Sequence, residues 1–227
     1  MLVWDFPLRA FHWSLALAVA ALYATGKLAG LWLDWHAHLG AFVLALMVFR
    51  IVWGFVGSRH ARFASFFPTP ARWRAFFAAR EWEIGHSPLA ALSTFALMSA
   101  TLAVAATGLF AGNDDVDFHG PLYDLVSSRG SETLTAWHSR LFDALAALIG
   151  MHVLAIGYYA AFRSKNLLLP MVTGKVILAD VRNIAPMRGV PVRHTLLAAS
   201  TAVFTLWCIE NGALRKFLLA LQRNFAP

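Results

Sequence analysis

Cysteine is almost missing from this 227-residue chain, where Cys208 stands alone. A single thiol excludes an internal disulfide framework and any cysteine-rich zinc or iron–sulfur site. With no C-x-x-C-H present, it also excludes covalent attachment of a c-type haem. Charge is scarce as well: Asp, Glu, Lys and Arg make up 14% of the residues, against about 25% in a typical soluble domain. No G-x-G-x-x-G, Walker loop, Ser–His–Asp pattern or H-E-x-x-H occurs, so nucleotide and hydrolytic chemistry have no support. Strand alternation, internal repeats and low-complexity tracts do not stand out either.

What remains is apolar. The chain is 59% hydrophobic and 14% aromatic, with a mean hydropathy of +0.60. Crossing a bilayer takes roughly 20 mostly apolar residues in a helix. Four stretches meet this, at about 8–25, 35–56, 88–112 and 135–162, and a fifth at about 194–209 is marginal. The first is not a secretory signal: it has no basic flank or small-residue cleavage site, and further spans follow it. Trp4, Trp13, Trp32, Trp35, Trp53, Trp137 and Trp207 fall at or near the expected ends, where amphipathic rings favour the membrane interface. The expected fold is an all-α membrane protein, a four-helix bundle with a fifth C-terminal helix.

Orientation follows from the basic residues of the connections. The first and third carry one each, Lys27 and Arg129. The second carries Arg59, Arg62, Arg72, Arg74 and Arg80, and the fourth Arg163, Lys165, Lys175, Arg182, Arg188 and Arg193. Basic connections stay in the cytoplasm, so the N-terminus is expected there, in a multi-pass protein of a bacterial inner membrane. The same argument explains the net charge of +7 without nucleic acid. The third connection is acidic, with Asp114, Asp115, Asp117, Asp124 and Glu132. A fifth crossing leaves Arg215, Lys216 and Arg223 on the outer side, against the rule; either that tail lies on the membrane surface or the first helices dominate insertion.

Ionisable side chains within spans are rare and usually functional. His12 lies early in the first span, His36 and His38 open the second, and His138 and His152 share the fourth. The last two are 14 residues apart, which is about 21 Å along a helix and within about 40° of one face. That spacing suits two cofactors at two depths and not one shared metal. Alternating helix directions then put His12 level with His152, and His36 or His38 level with His138. An iron held between two imidazoles has no open position and suits electron transfer. Any one of these His could instead bond a neighbouring helix. His36 and His38 point about 200° apart, and spacing alone does not choose between them.

These segments resemble the prokaryotic cytochrome b561 family and the related cytochrome b subunits of nickel–iron hydrogenases. The resemblance runs over about residues 1–176. It rests on V-W-D-F-P-L-R-A-F-H-W (residues 3–13), on His36 with Gly40 and Arg50, and on Trp137, His138 and His152. G-H-S-P, T-G-L-F with D-D and G-P-L, and N-L…P-M-V-T-G-K resemble further segments of one subgroup. It implies a di-haem four-helix membrane domain (1–176); the expected cytoplasmic connection, fifth helix and basic tail (177–227) depart from the family's minimal four-helix form. It favours His36 over His38, and hence two haems b held by His36 with His138 and by His12 with His152. Arg9, one turn before His12, and Arg140, beside His138, are candidate partners for haem carboxylates. Arg50 carries the same reading, and Asp143 is expected to pair with Arg140. His119 is a candidate proton carrier, and His86 reads as a helix entry.

The function implied is transmembrane electron transfer. Expected partners are membrane lipid, the quinone pool, a soluble cytochrome c or a dehydrogenase or hydrogenase subunit, and a second copy of the chain. One alternative is a haem-bearing anchor subunit of a larger enzyme. The other is a His-lined transporter or metal-binding membrane protein.

Overall fold

A computed structural model describes residues 3–79, 87–113, 118–163, 166–175 and 189–225. Helix α1 (Phe6–Leu28) begins where Asp5 caps it: the carboxylate accepts the Leu8 amide at 2.7 Å, and Pro7 sits in the first turn, where a missing N–H costs nothing. Helix α2 (Trp32–Val56) returns antiparallel after a tight turn. Two short helices follow, α3 (Phe63–Phe66) and α4 (Pro70–Ala79). Helix α5 (Pro88–Gly108) opens on a Ser87 cap with Pro88 in first position. A minimal antiparallel hairpin pairs β1 (Gly112–Asn113) with β2 (Phe118–His119). After a 3-10 turn at Tyr123–Leu125, Ser127 caps α6 (Ser128–Phe162). Helices α7 (Leu168–Thr173), α8 (Val192–Glu210) and α9 (Ala213–Phe225) complete the chain.

Helices α1, α2, α5, α6 and α8 are long and apolar enough to cross a membrane. They coincide with the five expected stretches. The largest shift is at α6, which starts seven residues before the expected 135. Its first turns are polar and invisible to hydropathy, but Ser127 starts them as a helix. His86, Asp114, Asp115, Asp117, Arg80, Lys165, Arg182 and Arg188 lie outside the described residues.

We call the end at which α1 starts the lower end. There Trp53 of α2 donates its indole N–H to the Asp5 carboxylate at 3.2 Å, and Phe11 stacks on Phe49. A buried core of Leu8, Phe11, Ala18, Val43, Met47, Trp53 and Ala198 joins α1, α2 and α8. Helix α8 runs the full length of α2. At the lower end His194 donates to the Val56 carbonyl at 2.9 Å, and at the upper end His38 donates to the Glu210 carboxylate at 2.7 Å. Helix α6 packs on α5 and reaches α1 through side chains, with Tyr23 stacked on Phe142 at 5.8 Å.

Candidate cofactor site

One face of α6 looks inward. Leu145 is buried at its centre, and His138, Phe142, Ile149, His152 and Ile156 are half-buried along it, while Trp137, Met151 and Leu154 are exposed. This is the stripe that positions three and four apart produce on a helix. The fold therefore turns both α6 histidines toward α1 and α2.

The upper site is the better furnished. The rings of His36 and His138 lie edge to face, nearly perpendicular at 79°, with centroids 6.0 Å apart. A metal held in line between two imidazoles, with metal–nitrogen bonds of about 2 Å, sets ring centres roughly 6 Å apart. His138 donates from Nδ1 to the Val104 carbonyl at 2.8 Å. His36 donates from Nδ1 to the Leu22 carbonyl at 3.0 Å, with the Thr25 hydroxyl oxygen at 3.2 Å. Once Nδ1 is committed as a donor, the lone pair lies on Nε2, the tautomer a metal ligand needs. Both rings lie close against glycines. A Cβ on Gly108 would stand 2.9 Å from the His138 ring, and one on Gly26 would stand 3.2 Å from the His36 ring. One turn below His36, a Cβ on Gly40 would meet nothing within 4 Å, so open space adjoins the imidazole.

At the lower end His12 of α1 and His152 of α6 lie near enough to feel each other electrostatically. The polar groups there are incomplete. His12 Nδ1, Arg9 Nε and Arg50 Nη1 are buried and have no hydrogen-bond partner. A buried unmade hydrogen bond costs about 1–3 kcal/mol, so orphaned donors of this kind fit an acidic group in the space between the helices. Arg50 is 2% exposed and holds its guanidinium over the Phe63 ring at 4.7 Å. Arg9 also donates to the Val172 carbonyl at 2.5 Å, and Trp13 donates to that of Met171 at 3.2 Å. Helix α7 therefore closes the lower end beneath His12. Paired imidazoles, open space one turn below His36 and unpartnered cationic nitrogens at the lower end fit a carboxylate-bearing porphyrin.

Other expected residues fall elsewhere. His38 points away from His36, to Glu210 on α8. Arg140 is exposed and stacks over Trp137, with no ion pair to Asp143. The ring three residues earlier offers the guanidinium a nearer apolar platform than the carboxylate. His119 lies on Tyr123, with ring centroids 4.1 Å apart. Among the described residues no three His, Cys, Asp or Glu side chains gather as a bare metal-ion site. Sequence reasoning missed Thr25, Gly26, Gly108 and the Leu22 and Val104 carbonyls. One signal was available: Thr25 and His36 are nearly equidistant from the turn after α1, the register at which an antiparallel hairpin brings residues together.

Comparison with known proteins places the chain among membrane cytochromes. A sequence model described as prokaryotic cytochrome b561 matches residues 3–174. The chain is 28% identical to a probable Ni/Fe-hydrogenase B-type cytochrome subunit of Azotobacter chroococcum, over 79% of this chain and 90% of that one. It is 24% identical to the protein of that name from Bradyrhizobium diazoefficiens, over 76% and 84%. It is 24% identical to a probable Ni/Fe-hydrogenase 1 B-type cytochrome subunit of Escherichia coli K12, over 66% and 80%. No solved structure matches the chain.

Proposed function

The chain belongs to the prokaryotic cytochrome b561 family, and from that premise we propose that it holds two haems b, one between His36 and His138 and one between His12 and His152, and carries electrons across the membrane between them. Membrane electron transfer on haem b is its task; the number of haems and the identity of their ligands are the proposal. The observation that carries it is the upper pair, two imidazoles 6.0 Å apart, each with Nδ1 committed to a neighbouring helix.

Haem b, when bound, supplies a one-electron iron couple. The chain's residues do the rest. Four imidazoles, His36 and His138 above and His12 and His152 below, would hold the iron at each level. The Leu22 and Val104 carbonyls fix ring orientation and tautomer at the upper level. Arg9 and Arg50 offer buried positive charge to carboxylates at the lower level, and Arg140 is the corresponding candidate at the upper rim. Leu145 and Phe142 keep the space between the levels apolar. The basic connections support a cytoplasmic lower end in a bacterial inner membrane. A quinone at one end of the bundle is the proposed lipid-soluble partner.

The relatives' names favour one further reading, a membrane-anchor subunit that receives electrons from a hydrogenase. The length of α6 supports a docking platform for such a subunit. Its 35 residues extend about 52 Å, while a hydrocarbon core is about 30 Å thick. The excess includes the first turns at the upper end, where Ser131 donates to the Phe110 carbonyl at 2.8 Å.

Reduced-minus-oxidised visible spectra and haem content of the purified protein test the proposal. We expect two haems per chain, reduced to one by alanine at any of His12, His36, His138 or His152. One haem in the unaltered protein would remove one of the two pairs. A hydrogenase subunit co-purifying in mild detergent would select the anchor reading.

A further inference from the structure

The C-terminal helix α9 has three faces. At about 100° per residue, Leu214, Phe217, Leu218, Leu221 and Phe225 fall on one stripe of the helical wheel. Arg215 and Gln222 lie to one side of it, and Lys216 and Arg223 lie nearly opposite it. The structure uses the intermediate face. Arg215 pairs with Asp124, and Gln222 Nε2 donates to the Leu125 carbonyl at 3.3 Å. Phe217 on the apolar stripe stays 61% exposed and Leu221 37%. The helix is joined to α8 by a turn in which Gly212 takes φ +64°, a left-handed conformation that glycine adopts freely. Helix α8 ends beside His38 at the upper end of α2, so α9 starts where a membrane span stops.

We propose that α9 is an interfacial helix lying on the upper membrane surface. Its Leu214–Phe217–Leu221 stripe enters the boundary between headgroups and acyl chains, and Lys216 and Arg223 face headgroup phosphates. A separate apolar stripe and basic face, on a helix of low overall hydrophobicity, are the composition of helices that lie in this layer. The occupant is lipid and not a protein groove, because the bilayer begins at the residue where α8 ends and the third face is already occupied by the chain itself. The Arg215–Asp124 and Gln222–Leu125 contacts would then tie lipid to the turn just before Ser127, the cap of the helix that carries His138. The three basic residues on the side that the charge rule leaves poor in them are then accounted for, Lys216 and Arg223 by headgroups and Arg215 by Asp124.

The lone cysteine makes the test direct. In a Cys208→Ser background, single cysteines are introduced as Phe217→Cys or Lys216→Cys and carry a nitroxide label. The whole protein is placed in phosphatidylcholine vesicles with and without phosphatidylglycerol. The expected result is a several-fold higher ratio of oxygen to aqueous nickel-chelate collisions at 217 than at 216, sharpened by phosphatidylglycerol. Equal, water-like accessibility at both positions would overturn the proposal. So would protection of 217 from both reagents, the signature of a protein partner. Because the readout is collision frequency, the outcome is independent of whether the haem assignment holds.

Discussion

Gly108 and His138 occupy a contact with no slack. An added methyl at 108 would stand 2.9 Å from the imidazole, so the ring must move. We expect Gly108→Ala to lower or displace the upper haem while leaving the lower one in place, read as a change in one component of the α-band and a haem content below two. At the lower end, Trp53 is fully buried and its N–H meets the Asp5 carboxylate. Trp53→Phe keeps most of the packing and loses a hydrogen bond to a charged group. The expected cost is about 2 kcal/mol, measurable as easier unfolding in mixed micelles. The histidines were legible in the sequence because an ionisable residue inside an apolar run is conspicuous. Gly108 was not: its role lies in the distance between two helices, which no single segment encodes. The orphaned nitrogens of Arg9 and Arg50 were half legible, as cations near a span end whose partner a sequence does not display.

At the level of elements, hydropathy located all five spans, since twenty apolar residues leave few alternatives in a chain this poor in charge. It missed α3, α4, α7 and α9 and the true start of α6. The first three are ten residues or fewer, α9 alternates its faces, and the start of α6 is polar for two turns. The choice between His36 and His38 is an element-scale question, because it depends on which neighbour each side of α2 meets. His36 meets α1 and α6, and His38 meets α8. Alanine at His36 is therefore expected to remove the upper haem. Alanine at His38 should leave both haems and cost less than about 1 kcal/mol, as usual for a partly exposed ion pair. Loss of haem in the His38→Ala variant alone would reverse the assignment.

For the molecule as a whole, an odd number of crossings puts the two termini on opposite faces. Helix α8 bridges both ends of α2, which is hard to reconcile with a helix that lies on one surface. Tags on the two termini should thus be reachable from opposite sides of sealed vesicles. Access to both from one side would reject the fifth crossing. Charge counting gave conflicting answers here, with eleven basic residues arguing one way and the tail the other, and the proposed surface position of α9 would reconcile them.

Helix α6 carries one proposed ligand of each pair on an unbroken backbone of 35 residues, so under that assignment it would act as a rigid gauge for electron tunnelling. The gap between the donor and acceptor centres is written in covalent bonds and hydrogen-bonded turns, and relaxing the loops cannot alter it. A single alanine inserted after Leu145 would advance His152 by about 1.5 Å and swing it by about 100°, out of register with His12. Seven inserted residues would nearly restore its bearing but lengthen the gap by about 10 Å. That insert would carry His152 about two turns away from the level of His12, so it too should cost the lower haem and spare the upper one, read as a haem content of one, which shows that depth as well as bearing is set by the backbone of α6.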